Sequence, residues 1–127
     1  MHVALVSPSV FRVPPEMYGG IERLIFDWAK ALNNISDVKV TLIAPKGSNS
    51  PSNSLIETID PPGRWTGNEE EQAYNLYKDK IDTFDLIHDH THQKHSYLYK
   101  LEHPKTKIIS TIHGIQTWPN LPPVRYP

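Results

Sequence analysis

The sequence predicts an α/β protein built on a Rossmann-like, doubly wound parallel sheet, with helices on both faces and three layers in all. Strand-length apolar runs alternate with stretches in which apolar residues recur at helical spacing, as in successive βαβ units. The first run, residues 3–6 (VALV), is apolar at every position, which is typical of a central strand buried on both faces. Right-handed crossovers between such strands place helices on both sides of the sheet.

The next elements complete the first half of this sheet. Apolar residues at helical spacing, with charged residues between them, predict an amphipathic helix over residues 20–33. Residues 38–44 are apolar and β-branched and end at a proline, so they predict a second strand. A loop rich in Ser and Asn over residues 46–53 and a short third strand over residues 55–59 follow.

A second helix is expected after the Pro-Pro-Gly break that follows the third strand. Asn68 stands three residues before Glu71, and this spacing predicts a helix cap. Acidic residues in the first turn also suit the positive end of the helix dipole. The predicted buried stripe consists of Ala73, Leu76, Tyr77 and Ile81.

Two further strands are predicted in the second half of the chain. They cover residues 84–87 and residues 107–112, with a short helix over residues 96–101 between them. The tail over residues 118–127 carries four prolines, so it predicts no regular element.

Length and composition limit the kind of protein this is. The 127 residues fit one domain, spanning residues 1–127. Thirteen basic and fourteen acidic residues leave a net charge of −1, so we expect no nucleic-acid partner. The absence of cysteine excludes a disulfide framework and a thiolate zinc site. The early apolar run is too short for a signal-peptide core or a membrane span, so we expect a cytoplasmic protein, with a peripheral position at a membrane left open.

The sheet predicts where a ligand binds, because doubly wound folds place ligands at the carboxyl ends of their strands. After the first strand, Gly19 and Gly20 open the first helix. These glycines either admit a phosphate to the free N–H groups of the helix or serve only a tight turn. Glu22 competes with an anion for the same helix end, so a direct phosphate contact requires its carboxylate to turn away.

After the fourth strand come four imidazoles within eight residues: His88, His90, His92 and His95. A strand that stays extended through Thr91 would project the first three to one side. This cluster is consistent with a polar wall for a hydroxyl-rich substrate, with a shared transition-metal site, or with a solvated loop.

After the fifth strand a single histidine, His113, precedes Gly114. One histidine at a strand end is more often a capped, structural residue than a functional one. Three such signals at the same edge of one sheet favour a site there, because α/β sites are assembled from separate loops.

Three short motifs together resemble the N-terminal domain of the retaining glycosyltransferases of family 4. They are residues 18–23 (YGGIER), residues 84–90 (FDLIHDH) and residues 110–114 (STIHG). The similarity extends over nearly the whole chain. It implies a GT-B architecture, in which two Rossmann-like domains face each other across a cleft and the N-terminal one mainly holds the acceptor.

The resemblance also implies roles for individual residues. Gly19 and Gly20 lie against the donor diphosphate, and His113 lies beside the reacting sugar as the catalytic residue. The residues implied in acceptor binding are His88, His90 and Tyr18. The expected ligands are a nucleotide-sugar donor, used as co-substrate, and a sugar or lipid acceptor, with no cofactor and no catalytic metal.

A family member needs a C-terminal donor domain, which this sequence does not include. We therefore expect an incomplete acceptor-side domain that is inactive alone and that works with the missing domain or with a partner subunit. An uncovered sheet edge would favour self-association. The competing hypothesis is a free-standing interaction module that binds a metal through His88, His90, His92 and His95.

Overall fold

The computed structural model describes residues 1–113 of the chain, so the prediction for residues 118–127 lies outside the described residues. The elements, in chain order, are β1 (His2–Val6), α1 (Gly20–Asn33), β2 (Lys39–Ala44), β3 (Leu55–Glu57), α2 (Glu69–Tyr77), a 3-10 helix (Lys78–Thr83), β4 (Leu86–Asp89), α3 (Ser96–Glu102) and β5 (Ile108–Ser110). Of the helices in this part of the chain, none combines the length and the apolar character that crossing a bilayer requires.

The five strands form one sheet in the order β3-β2-β1-β4-β5, and every neighbouring pair is parallel. In the central strand, Ala4 lies opposite Thr41 of β2 and Ile87 of β4. The chain therefore winds outward from β1 in one direction and then returns to wind outward in the other. This order confirms the predicted doubly wound α/β sheet.

Two apolar cores lie on opposite faces of the sheet, and alternate residues of β1 contribute to them. Val3 and Leu5 pack with Ile25 and Ala29 of α1. Ala4 and Val6 pack in a second cluster with side chains of α2 and the 3-10 helix, namely Tyr74, Tyr77 and Ile81. Burying an aliphatic or aromatic side chain stabilises the fold by roughly 1.5–3 kcal/mol. A strand covered on both faces is therefore apolar at every position, as residues 3–6 are.

The second helix differs from the prediction in two respects. Asn68 occupies the N-cap position, but its side chain makes no capping hydrogen bond, whereas the Glu69 carboxylate accepts bonds from the backbone N–H and the hydroxyl of Thr66. Leu76, predicted to be buried, is 54% exposed, and Tyr74 is buried instead. Tyr74 shares a helix face with Tyr77, whereas Leu76 points away from that face.

The strands β3 and β5 at the edges of the sheet are shorter than predicted, and the inner strand β4 is displaced. β4 covers Leu86–Asp89 rather than residues 84–87, because the N–H of Phe84 still bonds the carbonyl of Ile81 at the end of the 3-10 helix. β3 ends at Glu57, and β5 covers Ile108–Ser110. The displacement of β4 brings His88 and Asp89 into the strand itself.

Candidate functional site

A cleft of about 520 Å³ lies at the carboxyl edge of the sheet. Its walls come from the loop after β1, the start of α1 and the loops that follow β3, β4 and β5. The lining residues relevant to its chemistry are Tyr18, Gly19, Gly20, Glu22, Arg64, Trp65, His92 and His113. The residues singled out after the first and fifth strands, far apart in sequence, therefore meet in one cleft.

The two glycines at the start of α1 have different surroundings. Gly19 is buried, and a Cβ added there would lie 2.7 Å from Cβ and 2.8 Å from Cγ of Pro15. Gly20 is exposed, and a Cβ added there would meet no atom within 4 Å. Gly19 is thus required for the approach of the loop to the helix, whereas Gly20 presents open backbone to the cleft.

Glu22 occupies the end of the helix that a phosphate would use. Its side chain is only 5% exposed, and its Oε2 atom would be 3.5 Å from a Cβ added at Gly19. Burial raises the pKa of this carboxyl, and its own backbone N–H opposes that effect in part. The carboxylate has therefore not turned away from the helix start, and an incoming anion would have to displace it or favour its protonation.

Three histidine rings and one indole form a cluster next to the cleft, which we call the histidine cluster. The ring centroids of His88 and His90 lie 4.0 Å apart, and those of His90 and His113 lie 5.2 Å apart. The ring centroid of Trp28 in α1 lies 5.2 Å from that of His88 and 5.1 Å from that of His90. The side chain of His88 also forms a hydrogen bond of 2.8 Å between its Nε2 atom and Oγ1 of Thr111.

Within the histidine cluster, only His113 lines the cleft. His90 is completely buried and His88 is half-buried. Burial is the largest effect on His90 and lowers its pKa to about 3, with smaller contributions from the neighbouring His88 and His113. The role of His88 and His90 in acceptor binding stays a prediction, since their contacts among the described residues are to Trp28, Thr111 and His113.

The turn after β4 is organised by two buried carboxylates. The Asp89 carboxylate accepts hydrogen bonds from the backbone N–H of Thr91 at 2.8 Å, from the hydroxyl of Thr91 at 2.6 Å and from the hydroxyl of Ser96. Glu70 of α2 accepts the N–H groups of His92 at 2.9 Å and of Gln93 at 2.6 Å. Burial raises the pKa of Glu70 to about 7, although the two N–H groups favour the charged form.

Lys94 joins the ends of the two neighbouring strands. Its buried ammonium donates hydrogen bonds of 3.0 Å to the carbonyl of Asp89, the last residue of β4, and of 3.0 Å to the carbonyl of Thr111 after β5. Its backbone has a φ of 58°, in the left-handed region that non-glycine residues seldom adopt. Burial lowers the pKa of Lys94, and the charges of Asp89 and Glu70 oppose this.

The four histidines in and after the end of β4 do not converge on one point. The strand ends at Asp89 rather than continuing through Thr91, so the condition for projecting three rings to one side is not met. The rings of His88, His92 and His95 pack on three different aromatic side chains, namely Trp28, Trp65 and Tyr74. Among residues 1–113, no group of three or more metal-ligating side chains is placed to hold a metal ion. The alternative of a metal site formed by His88, His90, His92 and His95 is therefore not supported.

Two residues of the cleft were missed by sequence reasoning. Arg64 is exposed and Trp65 is half-buried, with its ring 5.7 Å from that of His92. Both follow the Pro-Pro-Gly break after β3. Their position after a strand end was the available signal, but the loop was interpreted as a break between elements.

One comparison with known proteins identifies a family. The model of the family described as Glycosyltransferase Family 4 matches residues 18–126. A search of the curated proteins gave no match.

Proposed function

This chain belongs to glycosyltransferase family 4, and from that premise we propose that it supplies the acceptor-side part of a retaining glycosyltransferase. Such an enzyme moves a sugar from a nucleotide-sugar donor to an acceptor hydroxyl. The observation that carries the proposal is the cleft, in which Tyr18, Gly20 and His113 meet at the carboxyl edge of the sheet.

In the proposed reaction the donor diphosphate leaves as the sugar passes through an oxocarbenium-like state. The backbone at Gly20 is open to the cleft and lies at the start of α1, where N–H groups stabilise developing negative charge. His113 hydrogen-bonds the reacting sugar and fixes its orientation. The incoming acceptor hydroxyl transfers its proton to the leaving phosphate, so no protein nucleophile is required.

The acceptor lies against the aromatic side of the cleft in this proposal. Tyr18 is 84% exposed and Trp65 is half-buried, and both line the cleft. Their flat amphipathic rings suit the apolar face of a sugar. Most contacts to the nucleotide come from a second Rossmann-like domain, supplied by the same polypeptide or by a partner subunit, and the present chain alone gives no turnover.

The test is a titration of the 15N-labelled chain with UDP, GDP and ADP, monitored through its backbone amides. All three share the diphosphate, so all three should shift the amides of Gly20 and Ile21 with weak, saturable affinity. Gly20→Ala should weaken binding about tenfold, equivalent to about 1.4 kcal/mol, because its methyl group occupies the space of the phosphate. Glu22→Gln should strengthen binding about fivefold, since a competing charge worth roughly 1 kcal/mol at a helix end is removed.

Asn33→Ala is the matched control, because it changes an exposed residue at the opposite end of the same helix. It should bind all three nucleotides as the wild-type chain does. The proposal is wrong if the amides of residues 18–22 do not move at tens of millimolar nucleotide, or if Gly20→Ala binds as tightly as the wild type.

A further inference from the structure

The ring of His90 is enclosed and makes one hydrogen bond. Its Nδ1 atom lies 2.9 Å from Nε2 of His113, and its own Nε2 atom is buried with no hydrogen-bond partner among the described residues. The Nε2 atom of the neighbouring His88 is bonded to Thr111 instead. Because Nε2 of His90 has no partner among the described residues, it indicates which nitrogen atoms of His90 and His113 carry a hydrogen.

The two rings share a single hydrogen in their contact. A fully buried imidazole between other rings is neutral, because burial disfavours the charged form. Neutral His90 carries one hydrogen, on either Nδ1 or Nε2. In the first case Nδ1 donates to Nε2 of His113; in the second case His113 donates to Nδ1.

The two cases leave different groups unsatisfied. A hydrogen on Nδ1 leaves a bare acceptor at the buried Nε2 of His90, whereas a hydrogen on Nε2 leaves a buried N–H donor without an acceptor. Among backbone groups, buried N–H donors without partners are rarer than under-satisfied carbonyl acceptors, and we apply the same preference to the imidazole ring. The geometry thus favours donation from His90 to His113.

We infer that His90 is a positioning residue that fixes the tautomer of His113, so that His113 presents an Nδ1–H donor to the ligand. With its Nε2 occupied as an acceptor, neutral His113 must carry its hydrogen on Nδ1. That atom makes no hydrogen bond to the described residues, and His113 lines the cleft. The ligand group that this selects is a hydrogen-bond acceptor, such as a sugar hydroxyl oxygen or a phosphate oxygen.

The catalytic meaning of this assignment rests on the proposed function, but its geometry does not. A donor of fixed direction stabilises a ligand oxygen without rearranging during the reaction. It also discriminates against a ligand that offers only a donor at that point, because two N–H or O–H groups would then face each other. In this pair the buried His90 orients the half-buried His113, as a hydrogen-bonded second group orients a catalytic imidazole.

The direct test is 15N NMR of the chain labelled at histidine, which distinguishes protonated from bare ring nitrogens. His113 should show a protonated Nδ1 and a bare Nε2, and His90 should show the same pattern. A protonated Nε2 on His113 overturns the inference, and would place the hydrogen of His90 on its Nε2 atom.

Variants separate orientation from packing. His90→Asn retains an amide group near the position of Nδ1 that can donate to His113, so the Nδ1–H form of His113 should persist. His90→Phe keeps a ring but removes the donor, so the Nε2–H form of His113 should become substantially populated. His95→Phe is the control, because that ring stacks on Tyr74 and should leave His113 unchanged.

An unchanged tautomer of His113 in a folded His90→Phe chain would also overturn the inference. If His90→Phe does not fold, the wild-type spectrum and His90→Asn still decide the question. These readouts do not involve nucleotide binding. The Gly20 titration can therefore fail while the tautomer is as inferred, or succeed while it is not.

Discussion

Gly19 and Gly20 are adjacent in sequence, yet a methyl group has opposite consequences at the two positions. At Gly19 it would lie 2.7 Å from Cβ of the buried Pro15, so the loop or the helix start must move. We expect Gly19→Ala to lower the free energy of unfolding by about 1–3 kcal/mol, the usual cost of overpacking. Chemical denaturation followed by circular dichroism measures this loss.

Gly20→Ala is the matched control for this prediction. It adds the same methyl group one residue later, in the first turn of α1, where a Cβ meets no atom within 4 Å. Because alanine is favoured over glycine in a helix, stability should stay the same or rise by up to about 1 kcal/mol. Equal stability of the two variants would show that the contact with Pro15 does not constrain the loop.

The sequence left open whether the glycine pair serves a turn or a phosphate, and these surroundings assign the turn to Gly19.

At the scale of elements, the site depends on how the ends of β4 and β5 are joined. Lys94 donates hydrogen bonds to the carbonyls of Asp89 and Thr111 at these two ends. His113 comes two residues after Thr111 in the chain. Lys94→Met keeps the length of the side chain but removes the ammonium donor from both carbonyls, and the Asp89 carbonyl then keeps the N–H of Thr111. We expect a loss of about 1–3 kcal/mol in unfolding free energy, together with faster hydrogen exchange of the β5 amides.

Lys105→Met is the control, because Lys105 is exposed in the turn before β5. It removes the same charge without removing a buried hydrogen bond, so stability and exchange should match the wild type. Lys94→Met behaving like Lys105→Met would show that the ammonium does not hold the two strand ends together.

Element type and order were predictable because burial on both faces leaves a strong pattern. Residues 3–6 are all apolar since β1 lies at the centre of the sheet. The bounds of the two edge strands were harder to predict, because β3 and β5 each contain three residues and such short runs show little periodicity. Leu76 was assigned to the core and Tyr74 was not, because the register of a nine-residue helix depends on which neighbours it packs against.

The candidate site was predictable in its location but not in its connections. The carboxyl-end rule identified the region of Gly20 and His113 from sequence alone. Two contacts of the site join residues far apart in the chain. His90 pairs with His113, and the Glu70 carboxylate accepts the N–H groups of the turn after β4. Nothing in local composition specifies such contacts. They arise only when β1, β4 and β5 lie side by side and α2 packs across one face.

At the scale of the whole molecule, Glu70 links α2 to the cleft and makes the stability of the fold depend on pH. Burial raises its pKa from 4.5 to about 7 in the folded chain. Between these values the folded state binds more protons than the unfolded state, so this contribution to stability is fully present below pH 4.5. It is lost as pH rises towards 7, by about 3 kcal/mol.

Glu70→Gln isolates this effect, because the amide retains an oxygen acceptor for the loop N–H groups but cannot ionise. Unfolding free energies of both chains, measured by urea denaturation from pH 5 to 8, should show the wild type losing stability relative to Glu70→Gln as pH rises. Glu71→Gln, on the exposed side of the same turn, is the matched control for charge removal. A wild type that gains stability relative to Glu70→Gln over this range would mean that the N–H groups of His92 and Gln93 outweigh the cost of burial. Glu70 would then hold the cleft loop as a carboxylate throughout.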